Sequence, residues 1–354
     1  MKRQTIIYIS TILALASCGL APCETTLVAE ALELHINAGM QGCGTKAPVF
    51  PVGEPDGDGF YAMPDGSSYG LFICKHGTYS PPHSTNYNNI MASMTGTSAW
   101  SFTYGSRTDE SMYILIQSET DAEGVETPIT ADIFAYAPYK TNITSPEAIP
   151  YQFSLQDDLM YAAQNMTEDY KGIDPKTATR NPYPVNLLFK HALALLEFNF
   201  RLKNTVTGFS SATLSKISVT AGKENPTEKL YVEGTFNSVD GTITGTVTGD
   251  LSMDITNAQL TAANPSVKVY MLMMPTSSYQ DDDFKFTFHF DNVEITTSPF
   301  LLKREQLKYG DGTYGLTAGY KYSFNFVIDN YLHFSGVQTG EWSTESDPLI
   351  NTEI

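Results

Sequence analysis

The sequence predicts an all-β protein made of β-sandwich domains, and three observations support that prediction. The chain holds 21 Tyr and 19 Phe but only 2 Trp, and β-branched and aromatic residues favour strands. Many short segments alternate apolar and polar residues, which is strand periodicity. Turn-forming residues, with 26 Gly and 19 Pro, separate those segments. The 354 residues are enough for about two domains.

Composition and charge exclude several function classes. The chain has 21 basic and 39 acidic residues, a net charge of −18. Such an acidic protein repels phosphate backbones, so nucleic acid is excluded as a partner. The content of 42% hydrophobic and 17% charged residues is typical of a globular protein and not of a disordered one.

The N-terminus is a targeting signal. Residues 1–17 combine an early Lys-Arg pair with an apolar run of 11 residues (6–16), too short to span a bilayer. Small residues directly before Cys18 match a bacterial lipobox, which predicts cleavage before Cys18 and lipid on that cysteine. The alternative is an ordinary secretory signal with a chance cysteine. In both cases the chain is exported, and residues 18–29 form a tether.

The first domain is predicted to cover residues 30–182. It opens with apolar residues at every second position, which predicts a half-buried strand; these are Leu32, Leu34, Ile36, Ala38 and Met40. Further strands are predicted at residues 69–74, 100–104, 112–116 and 133–137, and loops at 51–70 and 76–99. Good helix formers behind two acidic residues predict one short helix over residues 157–166.

A polar segment with three prolines, residues 167–184, is the expected domain boundary, so the second domain is predicted to cover residues 183–354. Residues 185–202 are long enough for a helix, but Leu196, Phe198 and Phe200 alternate with polar residues. We therefore predict two strands or one long bent strand there. More strands are predicted at residues 217–219, 230–232, 243–247, 267–274, 284–290 and 320–328.

Three cysteines follow Cys18. In an oxidising compartment one pair of them would bridge, and Cys43 with Cys74 is the pair favoured by position, which leaves Cys23 over. The alternative is that they are small residues with no role.

Catalytic motifs are largely missing. Gly-x-Ser-x-Gly occurs around Ser68, but a nucleophile elbow needs a strand before it and a helix after it, whereas a loop precedes Ser68 and a strand follows. Two acidic clusters, 56–58 and 281–283, lack the full spacing of a calcium loop. His191 and His289 are interpreted as strand residues on a polar face or as core histidines with partners. We expect no catalytic residue, no metal site and no cofactor.

Several stretches together resemble the fimbrillin-like family, the type V pilins and their relatives. The stretches, in order, are the lipobox at Cys18 and the segments 45–47, 69–72, 134–139, 158–162, 185–194, 274–275 and 319–322. The resemblance covers nearly the whole chain after the signal. It implies two tandem transthyretin-like β-sandwich domains, no enzymatic activity and a lipoprotein on the outer membrane.

The resemblance also implies a mechanism of assembly. A trypsin-like protease removes the first strand, and a strand from another subunit fills the groove left behind, so that repetition builds an adhesive fimbrium. Lys46 is the candidate cleavage residue because no other Lys or Arg lies between Cys18 and Lys46. The alternative is an ordinary loop lysine that nothing cuts.

The donor strand is expected near the C-terminus, within residues 331–342 or 348–354. Gly336 and Gly340 weaken the alternation of the first candidate, and the second is short. Stalk, tip and anchor roles therefore stay open. The main alternative function is a non-polymerising surface lipoprotein that binds glycan through exposed tyrosines.

Overall fold

The computed structural model describes residues 31–40, 62–79, 87–95, 99–164, 167, 169–203, 211–291, 299–309, 312–329 and 331–342. These residues form strands joined by turns, with two short 3-10 helices at Phe153–Leu155 and Arg304–Leu307, so the predicted all-β class is confirmed. Across the described ranges, no helix is both long and apolar enough for a membrane span.

The first half of the described chain contains twelve strands. They are β1 Ala31–Met40, β2 Ser68–Lys75, β3 Ile90–Thr95, β4 Ala99–Tyr104, β5 Arg107–Asp109, β6 Met112–Leu115, β7 Ser118–Thr120, β8 Glu126–Pro128, β9 Ala131–Ala137, β10 Ile149–Gln152, β11 Met160–Ala163 and β12 Tyr183–His191.

The second half contains thirteen more. They are β13 Ala194–Leu202, β14 Ser211–Ala221, β15 Tyr231–Phe236, β16 Ile243–Thr248, β17 Leu251–Asp254, β18 Gln259–Thr261, β19 Ser266–Met273, β20 Phe284–Phe290, β21 Phe300–Leu301, β22 Lys308–Tyr309, β23 Thr313–Tyr314, β24 Tyr320–Ile328 and β25 Leu332–Glu341.

A nine-stranded sheet forms the first half, in the order β5-β4-β3-β2-β9-β11-β12-β1-β6. The ring of Tyr69 in β2 lies 5.3 Å from the ring of Phe189 in β12, although β9 and β11 lie between those strands in the sheet. Three strand spacings in a flat sheet span roughly 14 Å. The sheet therefore curls around the core that these rings share.

The second half is a β-sandwich with an aromatic core. One sheet has the order β19-β13-β24-β25 and the facing one the order β17-β14-β20-β21. Phe198 and Phe200 of β13 contact Phe288 of β20 across the two sheets, with ring centroids 5.3 and 5.1 Å apart. The uninterrupted Phe alternation of residues 284–290 supplies one inner face, because alternate side chains of a strand point the same way.

The two halves also pack against each other. Strand β10 of the first half pairs with β15 of the second, and the buried apolar side chains of both halves form one contiguous cluster. The Gln156 side chain accepts a hydrogen bond from the backbone N–H of Leu272 at 2.7 Å. The junction is thus a packed interface within the described residues.

Two sequence predictions of local structure are wrong. The helix predicted over residues 157–166 is absent from its described part, where β11 lies between β9 and β12. Met160 and Ala162 are buried there at alternate positions, so pairing on both sides outweighs helix propensity. In the predicted loop 76–99, residues 90–95 form β3, with Ile90, Ala92 and Met94 buried.

The change from one sheet to the next comes later than the predicted boundary between residues 182 and 183. Strand β12, which begins at Tyr183, pairs with β1 and β11 of the first sheet. Strand β13 then opens the second sandwich, beginning at Ala194. Residues 185–202 form two strands, as one of the two sequence interpretations predicted. The division into two domains stays a prediction, and the pairing favours a boundary at residues 192–193.

Candidate functional site

The first described strand lies inside the sheet and not at its edge. Residues 34–40 of β1 run parallel to residues 183–189 of β12, and residues 31–34 run antiparallel to residues 112–115 of β6. Strand β1 therefore pairs with β6 on one side through its first residues and with β12 on the other side through the rest, and the two pairings overlap at Leu34. Without it, β12 and β6 would each present an unpaired edge, with a groove between them.

The side chains of β1 alternate in burial as its sequence predicts. Leu32, Leu34, Ile36, Ala38 and Met40 are all buried. Glu33 lies on the opposite face and accepts a hydrogen bond from the Ser111 hydroxyl at 2.9 Å, and His35 is exposed. Fully burying a Leu, Ile or Met side chain contributes about 1.5–3 kcal/mol, so leaving the groove empty would be costly.

One end of the groove is built from aromatic rings. Met40 lies opposite Phe189 in the register of β1 and β12. The Phe189 ring packs on Tyr69, which in turn lies 4.7 Å from the ring of Trp100. Burial raises the pKa of the Tyr69 hydroxyl well above its usual range. The contacts among these three rings hold Phe189, the neighbour of Met40, in the core.

The last described strand, β25, is the edge of the second sandwich. It pairs antiparallel with β24 along its whole length, with a register shift next to Gly336. None of its residues is fully buried, although Leu332 and Val337 pack partly against the core and Phe334 lies against Phe300. The expected donor candidate at residues 331–342 thus lies in its own chain's sheet.

The C-terminal end of β25 is anchored by a buried ring cluster. The indole of Trp342, 2% exposed, stacks on the imidazole of His191 with centroids 3.7 Å apart and planes 10° apart. His191 Nδ1 lies 2.8 Å from the Asp158 carboxylate, and both side chains are buried. His191 ends β12, so this cluster joins the strand beside β1 to the C-terminal strand. The interpretation of His191 as a core histidine with a partner is confirmed, whereas His289 lies on an exposed face.

A second histidine–carboxylate pair lies near Cys74. Cys74 is opposite Asp132 in the register of β2 and β9, and His76 Nδ1 lies 2.8 Å from Asp132 Oδ1. Burial, together with the negative charge of Asp132, raises the pKa of the Cys74 thiol to about 12. A nucleophilic cysteine needs a lowered pKa, so the raised pKa does not favour Cys74 as a nucleophile.

The structure also places the other candidate sites that the sequence contains. Ser68 is the first residue of β2 and no helix follows it, so it is not on a nucleophile elbow. Among the residues with described positions, no group of three or more His, Cys, Asp or Glu side chains is placed to hold a metal. Asp283 of the second acidic cluster is buried and accepts hydrogen bonds from the backbone N–H groups of Thr227 and Gln280.

Three predicted site residues, Cys18, Cys43 and Lys46, lie outside the described residues. Lipidation, the Cys43–Cys74 bridge and cleavage after Lys46 therefore stay predictions. The pairing of β1 with β12, and the Trp342 cluster, were missed because both join residues far apart in the sequence. The only sequence signal for these two features was a polar residue within an apolar run, such as His191.

Together, the fold and this groove define an all-β protein whose first strand fills a cleft in its own sheet. A family model described as fimbrillin-like matches residues 65–345, and the chain belongs to the fimbrillin-like family. The resemblance found in the sequence is thereby confirmed.

The chain is similar to several solved structures at low sequence identity, and the first of them shares its fold. A candidate cell adhesion protein from Bacteroides uniformis aligns with a TM-score of 0.52 at 16% identity, covering 90% of this chain and 100% of that chain. A candidate cell adhesion protein from Bacteroides ovatus gives 0.49 at 18% identity, covering 90% and 99%. A fimbrial protein from Bacteroides vulgatus gives 0.40 at 13% identity, covering 77% and 92%. No curated protein sequence matched the chain.

Proposed function

We propose that the chain is a lipidated subunit of a cell-surface fimbrium that takes part in adhesion and is assembled by exchange of its first strand. The single observation that carries the proposal is the place of β1, between β6 and β12 with its apolar face buried. One backbone cut after β1 would break the covalent link between this strand and the strands that follow it.

The groove suits strand addition. Its backbone groups on β12 and β6 are hydrogen-bonded to β1 now, and an incoming strand would restore those bonds while its alternate side chains refill the core. Such a strand would run parallel to β12 and antiparallel to β6. Lys46 is the proposed cleavage residue, and Cys18 is the proposed lipid attachment that holds the precursor on the outer membrane.

Limited trypsin treatment of the mature protein tests the proposal, with Lys46→Gln as the matched control. We expect a single early cut after Lys46, identified by N-terminal sequencing, and no early cut in the control. A fluorescein-labelled peptide of residues 31–40 should then replace β1 in the cut protein but not in the intact one. Equal uptake by both, or by neither, would contradict strand exchange.

Labelling tests the anchor separately. A bacterial host fed an alkyne fatty acid should label the wild-type chain in its membrane fraction. Cys18→Ser should lose both the label and the membrane association, because stable anchoring depends on buried acyl chain.

Glycan binding gains no comparable support. A surface depression in the second half, lined by Glu228, Lys229 and Asp250 among others, has no aromatic ring in its lining. Aromatic faces are what stack on sugar rings, so this depression does not favour that alternative.

A further inference from the structure

The strand that fills the groove must match a definite pattern of side chains. Along the buried face of β1 the sizes read large, large, large, small, large. The small position is Ala38, which lies opposite Leu187 in β12 and is 6% exposed. Because protein interiors are close-packed, a replacement strand needs a small residue at that position and large apolar residues at the other four.

Strand β25 does not carry this pattern on either face. One set of alternate residues is Leu332, Phe334, Gly336, Gln338 and Gly340, and the other is His333, Ser335, Val337, Thr339 and Glu341. Neither set has three large apolar residues in succession, read in either direction. Two glycines on the first face would leave two of the large positions unfilled, which creates cavities.

The residues after β25 do not carry the pattern either. Alternate positions from Ser346 onward read Ser, Pro, Ile, Thr, Ile, and those from Asp347 onward read Asp, Leu, Asn, Glu. Pro348 also lacks the N–H group that a strand donates to its neighbour.

Strand β25 is also engaged in its own chain. It pairs with β24 from Leu332 to Glu341, and the backbone N–H of Trp342 donates to the Gly319 carbonyl at 2.9 Å. The buried stack of Trp342 on His191 holds its end. Donating β25 to a second copy would break all of these contacts. The groove of that copy would receive a strand whose side chains match it poorly.

We infer that this chain is an acceptor subunit whose groove takes a strand from a different polypeptide, and that neither β25 nor residues 346–354 fill the groove of a second copy. The partner is a subunit carrying an exposed segment with large apolar residues at the first, second, third and fifth alternate positions and Ala, Gly or Ser at the fourth. The inference rests on the proposed function, because it requires the groove to open.

The test uses the full mature chain cut after Lys46; if trypsin spares that bond, a site for a specific protease replacing residues 42–46 supplies the cut. Two labelled peptides are added, residues 31–40 and residues 331–354, and binding is followed by fluorescence anisotropy. Gels run without boiling report oligomers. We expect the first peptide to bind at least about 100-fold more tightly than the second, and the cut protein alone to stay monomeric.

Matched variants of the first peptide test the pattern itself. Ala38→Leu in the peptide should weaken binding roughly tenfold or more, because overpacking a filled core is destabilising. His35→Leu, which adds an apolar side chain on the exposed face, should leave binding unchanged.

The outcomes separate this inference from the proposed function. A heat-sensitive ladder of the cut protein alone, or tight binding of residues 331–354, would overturn the acceptor role and leave strand exchange standing. Failure of both peptides to bind would overturn strand exchange and the acceptor role together. Equal binding of the Ala38→Leu and His35→Leu peptides would refute the size pattern.

Discussion

The indole ring of Trp342 lies flat on the imidazole ring of His191, with ring centroids 3.7 Å apart. This one contact joins the last described residue of the chain to the end of β12, the strand that also holds β1. Strand β25 itself has no fully buried residue, although it pairs with β24 and Phe334 packs on Phe300. The ring cluster, to which the first half contributes His191 and Asp158, therefore supplies the fully buried contact at the end of the C-terminal strand.

Trp342→Ala is expected to loosen β25 selectively. Truncating a buried Trp costs about 3–5 kcal/mol. Because β25 is an edge strand, we expect this loss of stability to cause local opening of β25 and not unfolding of the whole protein. Hydrogen exchange should accelerate across residues 332–341, as measured by mass spectrometry. Trp342→Phe, which keeps an aromatic ring, should have a smaller effect, and unchanged exchange in Trp342→Ala would contradict the anchoring role.

Sequence reasoning succeeded where the information is local. The alternation from Leu32 to Met40 predicts a strand with one buried face, because a strand's side-chain period is two. The same argument separated strand from helix over residues 185–202. Family membership was accessible because its motifs occur in order along the chain.

Sequence reasoning failed where partners are distant. Nothing near β1 indicates that residues 183–189 lie beside it in parallel, since that pairing is decided by the packing of the whole sheet. The helix predicted at 157–166 is wrong because β9 and β12 impose a strand on residues 160–163. The stack of Trp342 on His191 has no sequence signal beyond a histidine in an apolar run.

Ala38→Leu in the full chain is expected to destabilise the protein by about 1–3 kcal/mol, because the extra carbons enter a filled core. The midpoint of urea unfolding measures the change. His35→Leu is the matched control on the exposed face of the same strand, and its midpoint should stay within about 0.5 kcal/mol of wild type. Equal losses in both variants would mean that β1 does not bury the face described above.

Gly70→Ala is expected to be strongly destabilising, because a methyl group at Gly70 would overlap the ring of Tyr136. That ring cannot move away easily, since the Tyr136 hydroxyl donates to Asn89 Oδ1 at 2.7 Å and is fully buried. We expect a loss of about 2 kcal/mol or more in urea unfolding. Gly340→Ala, where no atom lies within 4 Å of the added carbon, is the control, and a comparable loss there would contradict a local clash.

Alkaline pH is expected to lower the free energy of unfolding because the buried tyrosines resist ionisation in the folded state. A variant of one of them, Tyr322, tests this expectation. Burial raises the pKa of Tyr322 from 10.0 to about 12, and its hydroxyl donates to the Gly315 carbonyl at 2.6 Å. Below about pH 9 both folded and unfolded states keep the proton, so this hydroxyl gives no pH dependence there. Between pH 10 and 12 the unfolded state loses its proton while the folded state keeps it.

The free energy of unfolding therefore falls as pH rises through that window, by about 1.4 kcal/mol per pH unit for this one group. Tyr322→Phe removes the titrating proton together with the hydrogen bond to Gly315. The stability difference between wild type and Tyr322→Phe, measured by urea unfolding at pH 8, 9, 10 and 11, should stay constant up to pH 9 and change by only about 0.4 kcal/mol at pH 10. It should then shift in favour of the variant at pH 11. A difference that is the same at all four pH values would show that the Tyr322 hydroxyl ionises equally in the folded and unfolded states.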